Sequence, residues 1–460
     1  MVLTVTTDKQ LEEGERAFMD LVLVVDTSGS MGWEGKLDKV KQTLKGIIKG
    51  EWQPKVGTTH TATNEWLRTD DRLCIITFDT KAQVVFKMNR MSEDKRNEAL
   101  DRVSDMRASG DTNMKEGLEV ALKEIKERTD RNDYAPAIIL LSDGFENTGG
   151  SAREVDITRV RVDTIGFGTK HDRKILEDIS QKSDEGGYSN SWDHNKLMQA
   201  MSSLLDFSKH IVARNLEVTV ELPRGVRVSV DSGTNRQETY QRDIQKHYKS
   251  SLQGGRTYYF LVAFYLPPAQ REGIMETVMT YHWKCRRLIR GKADEASQPA
   301  GVPIIIKRTT QGVGLRNRAL VVNDVVPKVV RTEETRRNHL AMIKEVRKHA
   351  DAGNFYKARD TLAVGMGKLD GLQDLTNSDI SIKAINFMYA EGEELFRVLE
   401  SEHTYNNGGG QSYVAACISS HELQRYVARG DEGCQVRLFT TKRMRRYLDD
   451  AIQLDNNMAA

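Results

Sequence analysis

Cysteine is scarce in this chain, four in 460 residues, and Cys74, Cys285, Cys417 and Cys434 stand far apart in sequence. No CxxC pair marks a zinc ribbon or a thioredoxin-like redox site. Cys74 lies inside the apolar run "LCIITF" and reads as a small buried thiol, so reduced cysteines are expected throughout. Net charge is missing too. The chain has 68 Lys and Arg against 66 Asp and Glu, and the resulting +2 marks no polyelectrolyte partner, so nucleic acid is not expected. No apolar run approaches the ~20 residues that cross a bilayer. The opening "MVLTVTTDKQLEEGERAF" lacks the basic segment, apolar core and small-residue cleavage site of a secretory signal. A cytoplasmic protein with no membrane partner is the expectation.

Catalytic signatures are absent as well: there is no P-loop lysine motif, nucleophile elbow or HExxH pair. His171, His194 and His210 have no spacing that defines a metal triad or a catalytic base, and His60 stands alone in a polar loop. The basic patches "KCRRLIRGK" at 284–292 and "TKRMRRYL" at 441–448 sit beside acids and read as solvated faces or docking sites for acidic proteins. Tyr258, Tyr259, Phe260, Phe264 and Tyr265 read as sheet core rather than as a base-stacking platform. A non-enzyme is the expectation.

What the chain has is a change of texture along its length. At 38% hydrophobic and 29% charged residues it is globular in composition, and its size calls for two or three domains. The apolar runs at 21–26, 72–78, 137–143 and 160–168 alternate with helical periodicity at 36–48, 93–106, 113–127 and 171–183, and a last amphipathic stretch covers 195–207. That alternation predicts an α/β, doubly wound, mostly parallel sheet over 18–208. "KAQVVFKMN" follows too closely on its predecessor for a crossover and predicts an antiparallel edge strand. Period-two patterns then predict an antiparallel, β-sandwich-like domain over 209–330, and residues 1–17 supply a strand expected to join it. From 331 to 460 the texture predicts a helical region, with a break near Asp351 and Gly353.

The chemistry concentrates at "VLVVDTSGSM", residues 22–31, where a strand-like run ends in Asp26, Ser28 and Ser30. Burying Asp26 is costly unless hydrogen bonds or a cation compensate it. In a parallel sheet, ligands bind beyond the carboxyl ends of the strands, where Asp26 and Asp143 both fall. Thr112, in "SGDTNMKEG", occupies another loop before a helix. Two carboxylates and three hydroxyls form a hard-oxygen set that suits Mg2+. Mn2+ tolerates the same set, and Ca2+ prefers more carboxylates.

The group "DTSGSM", the distant Thr112 and Asp143 in "LLSDG" resemble the von Willebrand factor A domain with its metal-ion-dependent adhesion site, over roughly 18–208. The resemblance implies that Asp26, Ser28, Ser30, Thr112 and Asp143 contact a divalent ion directly or through water. It also implies that the ion accepts an Asp or Glu carboxylate from a partner protein. The later strands and helices, ending in "YVAACISSHELQRYVARGD", resemble the intein-associated extension found beside A domains, including those of some plant E3 ligases. No RING cysteines precede the A domain here, so ligase activity is not expected. Metal-dependent protein binding or scaffolding is the functional expectation. The alternative is a structural component of a larger cytosolic assembly with a vestigial metal site. Neither the partner nor the oligomeric state is legible.

Overall fold

The structure is a computed structural model, and it describes residues 2–7, 18–49, 66–128, 134–168, 171–223, 226–228, 238–241, 244–262, 264–265, 275–289, 292–307, 328–370, 379–429, 438–440 and 444. His60, Cys434 and most of the 441–448 patch lie outside them. A short strand, β1 (Val2–Thr6), precedes the run "FMDLVLVVD", which forms β2 (Phe18–Asp26). A strand apolar at both odd and even positions must be covered on two faces. Met19, Leu21, Leu23 and Val25 accordingly enter one core and Val22 and Val24 the other. β3 (Arg72–Phe78), β4 (Ala82–Arg90), β5 (Tyr134–Ser142), β6 (Arg161–Phe167) and β7 (Tyr188–Ser191) complete a sheet of order β4-β3-β2-β5-β6-β7. Only β4, at the edge, is antiparallel.

The first core is covered by α1 (Lys36–Lys49), α2 (Glu93–Asp105) and, further along the chain, α5 (His194–Lys209). The second is covered by α3 (Met114–Glu127) and α4 (Arg173–Lys182). β2 lies between β3 and β5, with helices on opposite faces, so a crevice opens at the carboxyl ends of β2 and β5.

Beyond the sheet, β8 (Ile211–Glu221), β9 (Arg227–Val228), β10 (Glu238–Gln241), β11 (Ile244–Gln253), β12 (Thr257–Leu261), β13 (Phe264–Tyr265), β14 (Met275–Ile289) and β15 (Lys292–Lys307) are all antiparallel. Five of them form one sheet, β10-β11-β8-β14-β15, and β1 pairs with β12 in a ribbon whose Leu3, Val5, Tyr258 and Phe260 pack on Ala213, Leu216 and Val218. Face-to-face packing of ribbon on sheet makes the sandwich-like layer. β9 does not follow β8 as its hairpin partner: β8 is taken up by β11 and β14, and β9 pairs with β13.

Among the described residues five helical elements are bounded after these strands: α6 (Lys328–Asp351), α7 (Phe355–Asp370), α8 (Asp379–Val398), α9 (Glu402–Asn406) and α10 (Gly410–Leu423). The α6–α7 break falls at Gly353, whose φ of +76° suits glycine. The last region is not helical throughout, because after Leu423 the described chain runs without helix to Arg429. α10 is buried on all sides. Tyr413, Val414, Cys417 and Ile418 face the helical core, while Ala415 and Ala416 enter the core of the parallel sheet. Residues 424–429 then lie against β7. Ala428 O accepts from Asn190 N at 3.1 Å, and Tyr426 and Val427 enter opposite faces of the parallel sheet. Arg425 Nη2 donates to the buried Asp163 Oδ1 at 2.5 Å, and a Cβ on Gly187 would lie 2.5 Å from that nitrogen. Gln424 makes both amide bonds of a strand neighbour, accepting from Tyr259 N at 3.0 Å and donating to Tyr259 O at 2.7 Å.

One buried carboxylate ties the helices to this segment. Glu391 Oε2 accepts from His339 Nε2 at 2.7 Å and His421 Nε2 at 2.9 Å, and Oε1 accepts from Arg429. Burial alone would raise the Glu391 pKa, but Arg429, His421 and His339 together hold it well below the ordinary carboxylate range. Removing one partner of such a group strands the others. Glu391→Ala is therefore expected to cost about 3–5 kcal/mol in denaturant unfolding followed by circular dichroism.

Acid should act on the same network. Burial lowers the pKa of His421, and separately that of His171, from 6.5 to about 4. The unfolded chain then binds more protons than the folded one between those values, so stability rises with pH across the window. The denaturation midpoint is expected to fall steadily as pH drops from 6.5 to 4. His421→Gln should flatten part of that slope.

Candidate functional site

The site grows from the end of β2. Asp26 is fully buried, its Oδ1 accepting from Ser28 N at 2.8 Å and its Oδ2 from Ser142 Oγ at 2.5 Å. Burial pushes its carboxyl up to about 6, against the pull of the Ser142 and Ser28 hydrogen bonds. Among the described residues Asp26 has donors but no ion pair. Ser28 Oγ stands 3.2 Å from Ser30 Oγ, which donates to Asp143 Oδ1 at 2.7 Å. Asp143, directly after β5, is also buried.

Thr112 reaches the same place from the loop before α3. Two backbone bonds, Gly29 N to Gly110 O at 3.0 Å and Ser109 N to Thr27 O at 2.8 Å, stitch its loop to the serine turn. Asn147 fixes it from the other side, its Oδ1 accepting from Thr112 N at 2.8 Å and its N donating to Thr112 O at 3.2 Å. Gly144 forms the floor. A Cβ there would lie 3.1 Å from Thr112 Oγ1 and 3.5 Å from both Asp26 Oδ2 and Ser30 Oγ. The structure thus brings Asp26, Ser28, Ser30, Thr112 and Asp143 around one small space that glycine leaves open.

Sequence reasoning did not single out Lys36, the first residue of α1, as a site residue. Its Nζ donates to Asp143 Oδ2 at 2.5 Å, so one positive charge already stands on the rim. Ser142, Gly144 and Asn147 also escaped notice, although Ser142 and Gly144 directly flank Asp143 in sequence. Five oxygen-bearing side chains, two of them carboxylates, with Asp26 lacking a counter-charge, fit a hard divalent ion. Asp26, Ser28, Ser30, Thr112 and Asp143 are the residues that could hold it.

The histidines near the end of this domain serve structure. His171 is buried, with Nδ1 2.9 Å from Gly168 O and Nε2 2.7 Å from the Tyr188 hydroxyl. His194 Nδ1 lies 3.1 Å from Thr43 Oγ1, and His210 Nδ1 lies 2.8 Å from Asp206 O. His339, Glu391 and His421 place their ligand-type atoms within 4.8 Å of one another, but the carboxylate there already has three donors and the Arg429 counter-charge. Tyr258 and Phe260 are core, and Cys74 and Cys285 are free thiols. Among the described residues no helix is long and apolar enough to cross a membrane.

Comparison with known proteins agrees with the fold. The profile of the von Willebrand factor type A domain matches residues 20–203, and that of the VWA / Hh protein intein-like family matches residues 372–453. A von Willebrand factor type A structure from Catenulispora acidiphila superposes with a TM-score of 0.58 at 16% identity, covering 83% of this chain and 88% of its own. The ArnB paralog VWA2 from Sulfolobus acidocaldarius superposes with a TM-score of 0.50 at 12% identity, covering 92% and 97%. At such identities the likeness is one of fold. An uncharacterised protein of Synechocystis is 26% identical over 219 residues, 46% of each chain, so this chain spans about half the length of that relative. Residues 20–203 are a von Willebrand factor type A domain, and residues 372–453 match the VWA / Hh protein intein-like family.

Proposed function

We propose that this protein binds a partner protein through a divalent ion, Mg2+ in the first place, held by Asp26, Ser28, Ser30, Thr112 and Asp143. The observation that carries the reading is the buried, unpaired Asp26 beside the glycine-floored space. Von Willebrand factor type A domains commonly mediate protein–protein interaction, which supports a binding role over a catalytic one. When bound, the ion supplies an electrophilic centre with an exchangeable position. Two protein carboxylates against a dication leave room for one more anion, so a partner Asp or Glu fits. The chain's own residues set the geometry: Ser28 and Ser30 add oxygens without full charge, and Asn147 holds the loop that carries Thr112.

Titration calorimetry with Mg2+ and with Mn2+ is expected to give saturable one-site binding. Asp26→Ala and Asp143→Ala should each weaken it by ~100-fold or more, the order set by losing a charged ligand in a buried site. Equal affinity in wild type and both variants would refute the assignment. Metal-independent partner capture that survives Asp26→Ala would favour a purely structural role in a larger assembly.

Lys36 gives a second expectation. Its ammonium pairs with Asp143 and opposes an incoming cation. Lys36→Ala should raise Mg2+ affinity by about tenfold or more, as removal of a unit charge a few ångströms away requires. The same calorimetric titration reads it.

A further inference from the structure

Two large apolar side chains stand exposed on the loops that border this polar site. Trp33 is 72% exposed and Phe145 60% exposed. Phe145 lies two residues after Asp143, so its Cα is within about 8 Å of that of Asp143, and Trp33 lies three residues after Ser30, within about 11 Å. Their loops are tied together at the site itself, because Ser30 and Lys36, on either side of Trp33, both donate to Asp143. Neither ring is in the core clusters that hold the sheet.

The backbone holds Trp33 out at a cost. The 3-10 turn after Ser28 does not run smoothly into α1. Trp33 adopts φ −81° and ψ 147°, and Glu34 and Gly35 take positive φ of 55° and 64°. Glu34 in the left-handed region is unfavourable for a residue with a Cβ. Strain of this kind clusters at functional sites, where the surrounding structure holds it in place. A helix entered directly from Ser30 would have carried the indole at position 33 within its first turn instead.

Resting on the metal-site reading above, we infer that the rim selects a partner loop in which the metal-seeking Asp or Glu is flanked by apolar side chains. The two parts are complementary. The cationic centre takes the carboxylate, and the exposed indole and phenyl rings at the two bordering loops cover the apolar neighbours, as aromatic anchors do at interface centres. A phosphate or an isolated acid would use the charge and leave both rings in water.

Three capped pentapeptides test this on the full chain in excess Mg2+: Gly-Leu-Asp-Leu-Gly, Gly-Gly-Asp-Gly-Gly, and Gly-Leu-Asn-Leu-Gly. Calorimetry, with tryptophan fluorescence in parallel, is expected to show the leucine-flanked acid binding at least about tenfold more tightly than the glycine-flanked acid, and the asparagine peptide not binding. In Trp33→Ala/Phe145→Ala the tenfold preference should shrink to within about twofold, while the Mg2+ titration stays as in wild type. Trp33→Phe should keep most of the preference. Equal affinity of wild type for the two acidic peptides, or a preference unchanged in the double variant, overturns the inference and leaves the metal site standing. Absence of binding by either acidic peptide also overturns it, and the Mg2+ titration of the same sample then tells whether the metal reading falls with it.

Discussion

The architecture turns on the contact between Arg425 and Asp163. Asp163 lies in β6 with no exposure, and Arg425 reaches it from a segment 262 positions away. A buried ion pair of this sort contributes less through net attraction than through the penalty for breaking it. The pair therefore holds residues 424–429 against β7 and, through them, brings all three layers of the molecule together. Gln424 fastens the ribbon of β12, Ala428 the edge of β7, and Arg429 the carboxylate between α6, α8 and α10. The guanidinium groups of Arg425 and Arg161 both lie over the Phe207 ring, which keeps the cations against an aromatic face instead of water.

With that edge closed, the opposite requirement governs the crevice. Asp26 and Ser142 are 116 positions apart and meet because β2 and β5 are neighbours in a parallel sheet. Their strands end at the same level, so side chains from distant loops can gather there without any loop being long. The helices on the two faces start beside this gap, and the amide and hydroxyl donors around Asp26 stabilise its ionised form while excluding water. Pre-organisation comes from the sheet, and the chemistry comes from the short turns that leave it.

Much of this arrangement was legible in sequence. The continuous apolar runs gave the parallel strands because both faces of each are buried, and the quick return after Phe78 gave the antiparallel edge. The acidic and hydroxyl residues stood out because nothing in folding requires them at strand ends. β7 was not legible, since "YSNS" has no apolar pattern. It needs none, because α10 and residues 426–428 cover it from far along the chain. Lys36 looks like any first-turn lysine, and only the fold brings it to Asp143. The pairing of β9 with β13 was hidden for a related reason: a turn signal between two strand patterns specifies a change of direction but not which neighbour each strand will take. Glu391 reads as one acid among many in α8 until three helices converge on it.

The covered β7 leaves β4 as the other end of the parallel sheet, its one neighbour among the described residues being β3. Gln83, Val84, Lys87 and Arg90 are exposed along it, and the turn leading in carries the exposed Lys81. An unpaired edge is a template for another copy of the same chain, and lysine on such an edge is a common deterrent. Two β4 strands approaching each other would bring cationic side chains together without counter-charges of their own. The parallel sheet is therefore protected from growth at one end by its own tail and at the other by electrostatic self-repulsion, a defence that should weaken as salt screens it.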